Sequence, residues 1–171
     1  MDRRTPLALT ATALLFLGLV LPAGHAVAQQ TAKINKTQLV GSWTLVSNTG
    51  SSPTAKTFGP NDGVAIFEAN GRFSIRLVRS DLPKFASNNR DTGTPDENKA
   101  IVQGSITYFG TYSVNEGDGA LILHVERSSF PNWNGIDQKR IIASLTAEEL
   151  KYTNPAPSVG GTAELAWKRV K

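Results

Sequence analysis

Hydrophobic and polar residues alternate along much of the chain, most clearly in residues 72–78. There Phe73, Ile75 and Leu77 alternate with arginine and serine side chains. Successive residues of a strand point to opposite faces, so this pattern predicts a strand with one buried and one solvated face. Asn70-Gly71 precedes it and separates it from a second apolar run, which predicts a hairpin whose two turn residues adopt positive φ.

The pattern recurs between turn-forming clusters along the chain and predicts eight strands. They are expected at residues 42–46, 64–69, 72–78, 107–114, 121–127, 138–145, 149–153 and 163–170. The strands follow one another through close hairpins without a regular helical crossover, which predicts an all-β fold, an eight-stranded antiparallel up-and-down β-barrel. The interior of such a barrel holds either packed side chains or one small ligand.

One short helix is expected between strands three and four, at residues 95–104. Thr94 is a suitable N-cap, Pro95 fits the first helical position, and Glu97 completes a capping box. Ala100, Ile101 and Val102 would give the helix an apolar side, and Gly104 would end it.

The N-terminus has the pattern of a cleavable signal peptide. Arg3 and Arg4 precede an uncharged apolar run at residues 7–21, and Ala26 and Ala28 offer the small residues of a cleavage site. The run is shorter than the roughly 20 residues that a transmembrane helix needs. We therefore predict a signal peptide at 1–28, a leader at 29–38 and a barrel domain at 39–171. The protein would be exported, periplasmic or secreted, with no integral membrane span after cleavage.

Charge and cysteine content exclude several classes of function. The net charge of +4 comes from scattered basic residues rather than a basic cluster, so nucleic acid is not an expected partner. The chain has no cysteine, which excludes disulfides, thiol nucleophiles and lipid attachment through a processed cysteine. The chain has only two histidines and its carboxylates are scattered, so we expect no metal site and no cofactor.

The segment 39–47, with Gly41-Ser42-Trp43 at the start of the first strand, resembles the Gly-x-Trp region of the lipocalins. Further matching segments are Phe58-Gly59-Pro60, Gly110-Thr111-Tyr112, His124-Val125-Glu126, Gly135 with Gln138 and Arg140, and residues 165–169. Together they resemble the bacterial and fungal lipocalin-like domain family over residues 39–169. The resemblance implies a calycin-type barrel in which Arg169 packs on Trp43 by a cation–π contact. It implies little about activity.

His124 would be the only histidine left after signal cleavage. Alternation puts His124 and Glu126 on one face of the strand at 121–127 and Leu121, Leu123 and Val125 on the other, and Ile122 leaves the choice of inner face open. The resemblance favours His124 and Glu126 pointing inward.

The inward orientation would form a polar cluster of His124 and Glu126 with Arg140, Gln138 and Tyr112. This cluster would bind a carboxylate or carbonyl group of a ligand, or move a proton through His124 at neutral pH. In the structural alternative, His124 and Glu126 are a solvated pair, or Arg140 forms a buried ion pair with Glu126.

Two aromatic residues complete the candidate ligand-binding set. Phe73 would line the barrel, and Trp133, in the loop after strand five, would act as a lid or a hydrophobic plug. The main hypothesis is an exported protein that binds a small apolar or amphipathic molecule in its barrel. One alternative is a cofactor-free isomerase or cyclase with His124 as acid–base. The other is a filled barrel with a structural or protein-binding role.

Overall fold

A computed structural model describes residues 34–171, with the exception of the side chains at positions 54 and 56. Its strands are β1 (Gly41–Thr49), β2 (Gly63–Phe67), β3 (Arg72–Val78), β4 (Ser105–Asn115), β5 (Ala120–Ser128), β6 (Asp137–Leu145), β7 (Glu149–Asn154) and β8 (Ala163–Arg169). The helices are α1 (Lys36–Leu39) and α2 (Pro95–Gly104), with short 3₁₀ helices at Pro53–Lys56, Arg90–Thr92 and Pro131–Trp133. The predicted signal peptide and residues 29–33 of the predicted leader lie outside the described residues.

The eight strands form a closed antiparallel barrel in sequence order, and β1 pairs with β8 to complete it. This confirms the predicted up-and-down barrel. Because each strand has a partner on both sides, the barrel has no free edge that could pair with another chain. The strands are longer than predicted by one to a few residues at several ends, for example β1, which continues to Thr49.

The alternation in β3 predicted its buried face correctly: Phe73, Ile75 and Leu77 are buried. The turn before β3 differs from the prediction. Gly71 has a φ of 88°, whereas Asn70 is not among the non-glycine residues with positive φ. The amide of Glu68 donates to Arg72 O and that of Gly71 donates to Glu68 O. This is the three-residue hairpin loop in which one glycine supplies the left-handed conformation.

Helix α2 occupies the predicted range and has the predicted cap. The Thr94 side chain accepts from the Glu97 amide, the Glu97 carboxylate accepts from the Thr94 amide, and Pro95 is in the first turn. Glu97 also accepts from the Ala86 amide, and these backbone hydrogen bonds hold the pKa of its carboxyl below the ordinary value.

One end of the barrel is filled by side chains. We call it the filled end; it carries α1 and the turns β2–β3, β4–β5 and β6–β7. Trp43 is fully buried there, and its indole N–H donates to Leu39 O over 2.8 Å. The Arg169 guanidinium lies 4.0 Å from the centroid of the Trp43 ring, which confirms the predicted cation–π contact.

Arg169 also joins α1 to the barrel. Its Nη1 and Nη2 atoms donate to Val40 O and Gln38 O over 2.5 and 2.6 Å. Gly41 has a φ of +132°, and a Cβ atom there would lie 2.6 Å from Arg169 Nη1. The first residue of the Gly-x-Trp signature must therefore be glycine for Arg169 to reach its place.

The end of the predicted leader packs against the barrel. Ile34 is buried, and Asn35 caps α1 through a capping box with Gln38. Residues 34–38 therefore contribute to closing the filled end.

Candidate ligand-binding cavity

The opposite end of the barrel contains a cavity with a volume of about 630 Å³. We call it the open end; it carries the connections β1–β2, β3–β4, β5–β6 and β7–β8. All four connections contribute residues to the cavity lining, as do the inner faces of several strands. Eight strands thus enclose packed side chains at one end and a space of ligand size at the other.

Apolar side chains form most of the cavity wall. They include Phe58, Leu77, Ile106, Phe130, Trp133 and Leu165. Trp133 makes edge-to-face contacts with Tyr108 at 5.2 Å and with Phe130 at 5.8 Å between ring centroids. The 3₁₀ helix at Pro131–Trp133 holds Trp133 in place, since the Trp133 amide donates to Phe130 O. Trp133 is therefore part of the wall at the open end.

Five buried polar side chains line the same cavity: Asn48, Tyr108, Arg140, Tyr152 and Asn154. Arg140 is 1% exposed. Its Nη1 atom donates to Asn154 Oδ1 over 3.0 Å and to Lys139 O over 2.8 Å, and its Nη2 atom donates to the Tyr108 hydroxyl over 3.4 Å.

Tyr152 remains a neutral hydroxyl in this cluster. Burial raises the pKa of Tyr152 far above its ordinary value, and nearby Tyr108 raises it further. Arg140 and Trp167 oppose the shift but do not reverse it. The buried charge of the cluster is therefore that of Arg140.

The structure corrects the expected inward orientation of His124 and Glu126. Leu121, Leu123 and Val125 are fully buried and form the inner face of β5. His124 lies on the outer face, where its Nδ1 is 2.8 Å from Asp137 Oδ1 and its side chain is 52% exposed. Three large aliphatic side chains outweigh one isoleucine, so burying their face removes more apolar area from water.

Glu126 is likewise on the outer face and forms a two-point ion pair with Arg72, the shorter contact being 2.6 Å. The predicted alternative of a buried Glu126–Arg140 pair is therefore wrong. Glu126 and Arg140 are on opposite sides of the barrel wall.

The other residues that the sequence predicted for ligand binding lie in three different places. Arg140 and Trp133 line the cavity. Gln138 is buried beside Arg140, with a long contact of 3.5 Å, but is not part of the lining. Phe73 and Tyr112 pack in the core and do not line the cavity. The Tyr112 hydroxyl donates to Glu68 O over 2.9 Å near the filled end.

Sequence reasoning missed Tyr108, Tyr152 and Asn154. A signal was present: Leu150, Tyr152 and Asn154 share one face of β7 by alternation, and Leu150 and Tyr152 mark that face as the buried one. Asn154 follows as the last inward position of the strand. The same parity places Tyr108 with Tyr112 on the inner face of β4.

A closed eight-stranded up-and-down barrel with an internal cavity defines a ligand-binding type of barrel domain. The family model described as lipocalin-like domain matches residues 40–170. The chain therefore belongs to the family of lipocalin-like domains, as the resemblance implied.

Among solved structures, a lipocalin-like protein from Bacteroides uniformis matches with 14% sequence identity and a TM-score of 0.45. The match covers 78% of this chain and 99% of that protein. No curated protein sequence matches the chain.

Two features are absent from residues 34–171. No helix in this range is long and apolar enough to span a membrane. The same range contains no group of three or more histidine and acidic side chains arranged to hold a metal ion.

Proposed function

We propose that the protein is exported and binds one small apolar or amphipathic molecule inside its barrel. The cavity at the open end carries this proposal. Its volume of about 630 Å³ is within the roughly 300–1,000 Å³ of ligand pockets, and it combines apolar walls with a few convergent polar groups. A binding role agrees with the type of barrel domain to which the chain belongs.

Export is proposed from the N-terminal sequence, which lies outside the described residues. A basic start, a short apolar run and a small-residue exit are the features on which signal recognition depends. Cleavage after Ala28 would leave Ile34 and α1 with the barrel, where they help to close the filled end.

The two alternative functions have less support. His124 is on the outer face, so it does not reach a molecule in the cavity as an acid–base group. A barrel filled at both ends does not agree with the cavity. We therefore propose neither alternative.

The first experiment tests export and binding together. The full chain is produced in a bacterial host, the periplasmic fraction is purified, and its mass is measured under native and denaturing conditions. A mature chain that begins at Gln29 and carries an extractable small molecule is the expected result. Retention of the uncleaved chain in the cytoplasm would overturn the export part of the proposal.

Narrowing the cavity should weaken binding. Ile106 lines the cavity and is only partly buried, so we expect Ile106→Trp to fold and to occupy the space. Binding of N-phenylnaphthylamine, a neutral apolar fluorophore, should weaken by about tenfold or more, as expected for losing a large apolar contact of ~1.4 kcal/mol or more.

The control places the same residue on the outer face of the barrel wall. Ile122, also half-buried, pairs with Lys139 across β5 and β6, and Ile122→Trp should leave fluorophore binding unchanged. Equal binding by the wild type and Ile106→Trp, or no binding by the wild type, would overturn the cavity as the ligand site.

A further inference from the structure

The cavity contains a positive charge that no acidic side chain neutralises within residues 34–171. Arg140 is 1% exposed, and no ion pair in this range includes it. Its hydrogen-bond acceptors are neutral: the Asn154 amide, the Lys139 carbonyl, the Tyr108 hydroxyl and, at 3.5 Å, the Gln138 amide. A buried charge without a counter-ion is costly, so arginine is rarely buried unless it is paired.

Three acidic side chains in or beside β5 and β6 are on the outer surface. Each has a basic partner there: Glu126 with Arg72, Asp118 with Lys139, and Asp137 with His124. These pairs are half-exposed and separated from Arg140 by the barrel wall. The counter-ion of Arg140 is therefore not supplied by these neighbours.

One edge of the Arg140 guanidinium has unused hydrogen-bond donors inside the barrel. Nη1 is engaged by Asn154 and Lys139, whereas Nε has no hydrogen-bond partner although it is buried. Nε and Nη2 form one edge of the planar group. The Tyr108 hydroxyl contacts Nη2 at 3.4 Å, and the Tyr152 hydroxyl also interacts with the guanidinium. Two parallel N–H donors on one edge match the two oxygens of a carboxylate.

The neighbouring hydroxyls of Tyr108 and Tyr152 are neutral and add hydrogen-bond donors that an anion could use. The Tyr108 hydroxyl accepts from Arg140, so its own hydrogen remains available to donate. Tyr152 keeps its proton because burial raises its pKa. Outside this cluster the wall is largely apolar, with Trp133, Phe130 and Leu165 among its residues.

We propose that the ligand is an apolar molecule with a single carboxylate group, and that the Nε–Nη2 edge of Arg140 binds this carboxylate inside the barrel. The inference rests on the proposed binding function and names the chemical class of its ligand. The apolar part of the ligand lies against the aromatic wall at the open end. The carboxylate replaces the missing counter-ion of Arg140.

The test compares decanoate with decanamide, which has the same chain and a neutral head group of similar size, by titration calorimetry at neutral pH. The protein is the full chain, purified after export and stripped of bound molecules. Decanoate should bind more tightly than decanamide by about tenfold or more, since a hydrogen bond to a charged group contributes more than one to a neutral group.

Arg140→Met removes the charge at similar volume and should abolish the preference while decanamide binding is retained. Lys139→Met, at the next position of β6, removes the same charge from the outer face and should leave the preference unchanged. A purely structural role for Arg140 would instead weaken the binding of both ligands to the same extent.

Asn154→Asp provides a second variant that keeps the shape of the site. It places a carboxylate where Asn154 Oδ1 now accepts from Arg140 over 3.0 Å, so the site has an internal counter-ion. Decanoate should lose its preference, and decanamide should bind as before. This result would support the inference even if Arg140→Met did not fold.

The outcomes separate the inference from the function on which it rests. Equal binding of decanoate and decanamide by the wild type, or a preference that survives Arg140→Met or Asn154→Asp, would overturn the carboxylate site and leave the cavity as a binding site. If neither decanoate nor decanamide binds while N-phenylnaphthylamine does, the inference alone fails. If none of the three binds, the proposed function fails as well.

Discussion

At the scale of single residues, neighbours in one strand have opposite roles because the barrel wall divides them. In β6, Arg140 faces the cavity while Lys139 faces solvent and pairs with Asp118. In β5, Val125 is fully buried, and His124 is on the outer face. A side chain of a strand thus reaches the cavity only if it is at one of the alternate positions that point inward.

Gly110 shows that a residue without a side chain can also be required. A Cβ atom at this position would lie 1.9 Å from the backbone oxygen of His124, where the β4–β5 register shifts between Phe109 and Gly110. The close approach of two backbones requires glycine here, and its φ is not positive. The glycine of the Gly110-Thr111-Tyr112 segment is therefore explained by the packing of β4 against β5.

His124→Ala should leave ligand binding unchanged, because the imidazole is on the outer face and half-exposed. The contact with Asp137 is at the surface, so stability should change by less than about 1 kcal/mol. Fluorophore titration and urea unfolding measure the two effects. A several-fold loss of affinity with intact folding would contradict the placement of His124 outside the cavity.

At the scale of elements, α2 has both a local cause and a tertiary role. Its capping box satisfies backbone donors at the N-terminus of the helix. Its C-terminal half contributes Ile101, Val102 and Gln103 to the cavity lining. Val102 is 78% exposed, so this helix forms part of the rim of the cavity rather than its core. Helix α2 is thus placed beside the cavity.

The start of α2 should weaken in acid. The pKa of Glu97 is lowered in the folded protein by hydrogen bonds from the Ala86 and Thr94 amides. A lowered folded pKa means that the contribution is fully present above the unfolded-state value and is lost as the pH falls through the folded value. Amide chemical shifts of Ala86 and Thr94 should therefore move together on acidification.

Two variants control the acid titration. Glu97→Gln should remove the shared acid transition of the Ala86 and Thr94 amides, because the amide side chain does not titrate. Thr94→Ala should lower helix stability by about 1 kcal/mol, as expected for an N-cap, without removing the Ala86 contact. Amide shifts that do not respond to acid in the wild type would contradict the assigned role of Glu97.

At the scale of the whole molecule, the packed core and the cavity are concentrated at opposite ends of the barrel. The filled end packs Trp43, Trp167 and Leu150 without exposure and is closed by α1. The open end contains the cavity and its buried arginine. Close packing at one end provides apolar burial that offsets the space and the unneutralised charge at the other.

Truncations at the two ends should separate these roles. Leu150→Ala, at a fully buried site, should lower the free energy of unfolding by about 3 kcal/mol and leave fluorophore affinity unchanged. Leu165→Ala should cost less, because Leu165 already borders a cavity, and should change the affinity. Urea unfolding and fluorophore titration measure both. The reverse order of costs would contradict the division into a filled and an open end.

Several features were determined by the sequence alone because their causes are local. Alternation predicted the strands, the capping box predicted α2, and the turn residues predicted close hairpins that lead to an up-and-down barrel. The Gly41-x-Trp43 signature, through the family resemblance, predicted the Arg169 contact. Each depends on residues that are near in sequence or on a packing arrangement shared by the family.

Only the tertiary structure decided which residues meet in the cavity. Arg140 and Asn154 belong to different strands, and the pairing of β6 with β7 brings their side chains within hydrogen-bond distance. The inner face of β5 was ambiguous in the sequence because Ile122 made both faces partly apolar. Closing the barrel resolved it, since the face with Leu121, Leu123 and Val125 buries the larger apolar area. The inner face of β5 and the set of residues that line the cavity both depend on the burial of all eight strands together. No local sequence pattern specifies that burial.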